Sequence, residues 1–119
     1  MSKIKSYLGF CQKAGDLVIG FNNLEKIKGG AHLIIMDSLV AENTQKKVKK
    51  ISQKLNCPVL LCNNLSQYVG NGIKILAMKN YSLANAVITN QDENFTLMPK
   101  EVTNGWKKFY DGTIRNFKF

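Results

Sequence analysis

This chain of 119 residues has little of what most enzymes need. It contains one histidine, one arginine (Arg115) and three cysteines. An odd cysteine count, with members in or beside apolar runs, argues against a disulfide framework and fits a reducing compartment. Cys11, Cys57, Cys62 and His32 lack the short spacing of a zinc knuckle, so no metal is expected. The acids Asp16, Glu25, Asp37 and Glu42 are scattered, without paired-carboxylate spacing. Asp37 ends an apolar run, where α/β folds place ligands, but one acid without a partner is not an active site. The glycines form no phosphate loop and no serine sits in a Gly-x-Ser-x-Gly elbow. His32, opening an apolar run, has the setting of a satisfied edge residue rather than a base. No catalytic residue and no cofactor are expected. Apolar runs fall far short of the roughly 20 residues that span a bilayer. Met1-Ser2-Lys3-Ile4-Lys5 leads into an amphipathic segment without a signal-peptide apolar block. A cytoplasmic protein that stays out of membranes is expected.

What the chain has in quantity is lysine. The formal net charge is +9, and residues 1–89 hold 12 Lys against 4 acids. Such an excess favours a polyanionic partner: RNA, DNA or an anionic surface. Lysine makes generic phosphate contacts rather than fork-like base recognition, so specificity has to come from other side chains. Hydrophobic content of 45% against 21% charged residues fits a globular chain, and the length fits one domain with one core.

Ile4, Tyr7, Leu8, Cys11 and Ala14 recur at helical spacing, predicting an amphipathic helix over 2–14 that Gly15 ends. Leu17-Val18-Ile19 is a short strand, followed by a helix from Asn22 to Lys28. His32 to Met36 is a continuous apolar run, the mark of a strand buried on both faces. Thr44, Val48, Ile51 and Leu55 stripe the next helix, with Lys46, Lys50 and Lys54 opposite and Asn56 as its stop. Strand Pro58–Cys62 follows, then a short helix to Val69 capped by Asn63-Asn64. Strand Ile73–Met78 and a helix from a Ser82 cap to Thr89 complete the alternation. This order predicts an α/β protein: a three-layer α/β/α sandwich around a four-stranded mixed sheet.

The most informative stretch is Gly20-Phe21-Asn22-Asn23-Leu24-Glu25-Lys26, a strand that stops at glycine and turns straight into a helix. Asn22 and Asn23 fall in the first turn, and Lys26 one turn further along. Asn amides pair bidentately with base edges, and a helix start offers N–H groups to phosphate. Asn is equally a common N-cap and Gly a common turn residue, so these residues alone leave a plain capping role open.

The series Leu8-Gly9-Phe10-Cys11-Gln12-Lys13-Ala14-Gly15-Asp16-Leu17-Val18-Ile19-Gly20 continues in register through His32 to Asp37 and Glu42 to Val48. Cys57-Pro58-Val59, Leu65 to Gly70 and Ala77 to Ile88 extend it. Over residues 2–89 this order resembles the kink-turn-binding ribosomal protein family of the L-seven-Ae and L-thirty-e type, with its small bacterial YlxQ-like branch the nearest in pattern. The resemblance implies an RNA-binding domain over residues 1–89 whose partner is structured RNA containing a kink-turn, with ribosomal RNA one source. The family's motif after the first strand is Gly-x-Asn-Glu-x-x-Lys; Gly20, Asn22 and Lys26 match it, and Asn23 stands where Glu is usual. Asn22 and Asn23 would contact base edges, and Lys26 and Lys28 phosphate or guanine. The loop after strand Pro58–Cys62 covers a flipped-out nucleotide in the family. Here Leu61, Cys62 and Asn63 take its place, in a shortened link.

Residues 90–119 hold six of the chain's aromatics, including Phe95, Trp106, Phe109 and Tyr110, without clear periodicity. This C-terminal extension either packs on the domain or binds a partner; in the second case the chain would be a protein-interaction module on the same fold.

Overall fold

The computed structural model describes residues 3–70 and 72–98. Trp106, Phe109, Tyr110, Phe117 and Phe119 of the extension, and Asn71, lie outside the described residues. Among the described residues five helices alternate with five strands: α1 (Lys3–Lys13), β1 (Leu17–Ile19), α2 (Phe21–Glu25), β2 (Leu33–Asp37), α3 (Glu42–Leu55), β3 (Val59–Cys62), α4 (Ser66–Val69), β4 (Ile75–Met78), α5 (Tyr81–Thr89) and β5 (Phe95–Leu97).

The strands make one mixed sheet in the order β1-β4-β2-β3-β5. Only β2 and β3 run parallel; β4 pairs antiparallel with both β1 and β2, and β5 pairs antiparallel with β3. The sheet is therefore five-stranded, not four-stranded. The added strand comes from the segment read as extension, where Phe95 and Leu97 are buried and Thr96 between them is exposed. Three residues are too few to show that alternation against the surrounding polar sequence.

Every residue of β2 and β4 is buried, as continuous apolar runs in central strands require. The core adds Ile4, Leu8 and Cys11 of α1, Leu24 of α2, Val48 of α3 and Val87 of α5. α1 packs on α4 and α5, while α2 packs on α3.

Helix ends refine the sequence reading. Asn56 stops α3 in the left-handed conformation (φ 56°), its N–H donating to the carbonyls of Gln53 and Ser52. α5 is capped by Asn80, whose side chain accepts from Leu83 N–H, rather than by Ser82. Neither Asn63 nor Asn64 caps α4 with its side chain; Asn64 instead takes a left-handed turn at φ 58°. α2 begins one residue earlier than expected and ends at Glu25, leaving Lys26 as its C-cap and Lys28 beyond the helix.

Candidate nucleic-acid interface

β1 gives way to α2 at Gly20, whose φ of 92° is forbidden to most side chains. Its N–H donates to Ile75 O at 2.9 Å, tying the turn to the start of β4. Gly20 is itself the N-cap of α2 and no side chain caps the helix. Asn22 thus makes no capping bond, and it is exposed. Asn23, also exposed, donates from Nδ2 back to Ile19 O at 2.9 Å, so one donor of that amide is taken. Lys26, exposed and four positions after Asn22, is the C-cap of α2, just past the Phe21–Glu25 helix, its N–H donating to Asn23 O at 3.1 Å. With five residues α2 aligns few peptide dipoles, so its start offers an anion little attraction.

The same end of the sheet carries the ends of β2 and β3. Asp37 N–H donates to Lys74 O at 2.7 Å, and Ser38 N–H to Cys62 O at 3.0 Å. The Asp37 carboxylate, 1% exposed, accepts from Leu39 N–H through Oδ1 and from Leu65 N–H through Oδ2, each at 2.9 Å. It is an internal brace for two loops. Ser38 Oγ donates to Asn63 Oδ1 at 3.0 Å, Asn63 N–H donates to Asn94 O at 2.9 Å, and Gln67 Nε2 donates to Asn63 O at 3.1 Å. Asn63 is exposed yet held on three sides.

Leu61 is half-buried. Cys62 is fully buried, which removes it from any contact surface; its inward side follows from the β-strand alternation that places Cys62 opposite Asp37 and Phe95. Burial, then the nearby charges of Asp37 and Asp92, pushes the Cys62 thiol up to about 12. Its place as an apolar surface is taken by Leu39, 85% exposed beside the Ser38–Asn63 bond. No family model matches the chain, and no curated protein does.

The two patches, α2 on one side and the Leu39–Asn63 loops on the other, are three strand spacings apart across β1-β4-β2-β3, roughly 14 Å. Lys74 is exposed and opens the β4 end between them. Sequence reading missed it because a single lysine at a strand start carries no periodic signal. Leu39 was missed because an isolated exposed leucine is ordinary until its loop is placed. From α3, Lys47 reaches over the Phe21 ring, its Nζ 6.0 Å from the centroid, which brings one lysine of that helix against α2. Lys46, Lys50 and Lys54 are exposed along α3. Among the described residues, no three His, Cys, Asp or Glu side chains group as metal ligands, and no helix is long and apolar enough to cross a membrane.

Proposed function

We propose that this protein is a non-catalytic RNA-binding protein of the cytoplasm that recognises kinked, structured RNA of the kink-turn type, with ribosomal RNA one source. The observation that carries the reading is Asn22. Its amide stands exposed near Lys26, and because Gly20 holds the N-cap position the amide is not spent on capping. An uncommitted amide beside a cation suits base-edge readout next to a phosphate.

The surroundings support the same use. Asn23 keeps its oxygen as an acceptor where a carboxylate is usual in the family that the sequence resembles. Lys26, Lys28, Lys47 and Lys74 supply phosphate contacts, and Leu39 with Leu61 offers apolar surface for an unstacked base beside Asn63. The arrangement of helices fits a three-layer sandwich. α1, α4 and α5 form one contact group and α2 with α3 another, and β2 and β4 are buried throughout, as strands covered on both faces are.

The test is a specificity comparison. Asn22→Ala with Lys26→Ala is expected to lose about 1–3 kcal/mol of preference for a kink-turn over a plain duplex. Lys46→Ala with Lys50→Ala is expected to weaken both RNAs alike, because phosphate contacts position but do not specify. Folding of both variants is checked by circular dichroism. A folded Asn22/Lys26 variant that still prefers kinked RNA as wild type does would refute the assignment.

A further inference from the structure

At the opposite end of the sheet a second concavity opens. Leu17 pairs with Met78, His32 N–H donates to Met78 O at 2.8 Å and Lys79 N–H to Asp16 O at 2.8 Å, so this is the far end of β4 from the Gly20 turn. Here a cavity of about 160 Å³ lies between α5 and the segments entering β2 and β3. Pro58 and Ile88 give it apolar lining, while His32, Asn56, Tyr81 and Asn85 carry its polar and aromatic groups.

Three of these groups are set in place. The rings of Tyr81 and His32 stand at 80° with centroids 5.4 Å apart, an edge-to-face contact that orients Tyr81 but leaves it 67% exposed. Asn56 is fixed at φ 56° by its own N–H bonds to Gln53 and Ser52. Among the described residues, the Asn56 and Asn85 amides, the His32 ring nitrogens and the Tyr81 hydroxyl make no hydrogen bond within the chain. Lys79, exposed, lies outside the lining, its Cε 3.7 Å from where a Cβ on Gly30, next to the lining residue Ala31, would stand.

An open aromatic face, two uncommitted amides and a neighbouring cation match a flat ring with donors and acceptors on its edge and phosphate attached. Size narrows the choice. Drug-sized ligands need roughly 300–1,000 Å³, about two to six times this cavity, so a single small ring system is what it admits. The geometry points to a binding pocket for one nucleobase, with Tyr81 as stacking platform, Asn56 and Asn85 as edge contacts and Lys79 facing the phosphate. The base belongs either to a free nucleotide or to an unpaired residue of an RNA. The pocket is independent of the Gly20 turn and does not rest on the kinked-RNA reading.

The single histidine of the chain gives a clean reporter. Ring-proton NMR signals of His32 in the full chain are followed as AMP, GMP, CMP, UMP or a single-stranded pentanucleotide RNA is added to millimolar concentration. The expected result is a saturating ring-current shift. A shift with mononucleotides identifies the free nucleotide as ligand; a shift with the pentanucleotide alone identifies an unpaired RNA base. Tyr81→Ala, at an exposed position that the fold does not need, is expected to weaken binding about tenfold or more, and Asn85→Ala to weaken it less. The Asn22/Lys26 double variant is expected to bind these probes as wild type does, so loss of kink-turn preference leaves this pocket standing. No saturating shift with any probe, an equal shift with ribose 5-phosphate, or full affinity in Tyr81→Ala would overturn the inference.

Discussion

Asp37→Asn is the most direct probe of how the proposed interface is held together. The carboxylate is 1% exposed and accepts two backbone N–H groups, from Leu39 and from Leu65. Asparagine is nearly the same size, so packing is preserved. Its side chain, however, has one oxygen and one NH₂ where aspartate has two oxygens. Whichever way the amide is turned, one of the two N–H donors meets another donor. Losing a hydrogen bond to a charged acceptor costs about 1.5–3 kcal/mol, and a stranded buried donor about 1–3 kcal/mol. These overlap, because the stranded donor is the lost partner, so the expected loss is about 2–3 kcal/mol. For a domain of this size that corresponds to a fall in Tm of roughly 10 °C. Thermal unfolding followed by circular dichroism measures it, and amide hydrogen exchange at Leu39 and Leu65 shows where protection is lost. Ser38→Ala serves as control. It removes only the exposed bond to Asn63, and its effect is expected within about 0.5 kcal/mol of zero. If Asp37→Asn lowers Tm by no more than the Ser38→Ala control does, the carboxylate is not what braces the two loops.

Gly20→Ala isolates backbone strain, because a Cβ there meets nothing within 4 Å while φ stays at 92°; a loss of about 1–3 kcal/mol in denaturant unfolding is expected, and a neutral result would mean the turn relaxes freely. Affinity for kinked RNA should fall about a hundredfold between 50 and 200 mM salt if Lys26, Lys28, Lys47 and Lys74 each neutralise a phosphate, from a log–log slope of about −0.7 to −0.9 per contact. A flat salt profile in a filter-binding or fluorescence titration would exclude a phosphate-based interface. Stability should decline as pH rises above about 9. Cys57 and Cys62 hold their protons in the folded chain up to about 12, whereas the unfolded chain releases them near the ordinary value of 9.0. The folded state is therefore favoured fully below pH 9 and loses that advantage between 9 and 12; urea midpoints at pH 8 and pH 10 compare the two.

The helix and strand order was legible wherever burial imposes a period. β2 reads as a strand because Leu33 to Met36 is uninterrupted and buried, and α3 as a helix because Val48 is buried within a stripe that lysines flank. Asn56 was legible as a stop because few residues other than glycine accept a left-handed C-cap so readily. What failed was local hydrogen-bond choice. Asn80 takes the cap through Leu83 N–H, which starts α5 at Tyr81 and leaves Ser82 inside the helix, a difference of position that sequence cannot rank, since either residue type caps well. β5 was hidden for a different reason: its pairing with β3 is a contact across more than thirty residues, visible only when Phe95 meets Cys62 in the folded sheet.

The candidate interface was half legible for the same cause. The turn at Gly20 is contiguous, so Asn22 and Lys26 could be read together. Lys74, Leu39 and Asn63 come from three separate connections that only the sheet order brings to one end. That geometry also links the two proposed patches. The α2 patch is tied to β4 through Gly20 and Ile75, and β4 to the far loops through Lys74 and Asp37, whose carboxylate then holds Leu65. A rigid RNA touching only one patch needs none of this bracing. One that bends across roughly 14 Å needs both patches in place, and the buried carboxylate fixes the far one by holding Leu39 and Leu65. The chain of bonds from Gly20 to Leu65 thus separates two uses of the same surface. If Asp37→Asn leaves duplex affinity intact but lowers affinity for the kinked form, the two patches act together. If both fall equally, the lysines alone are responsible.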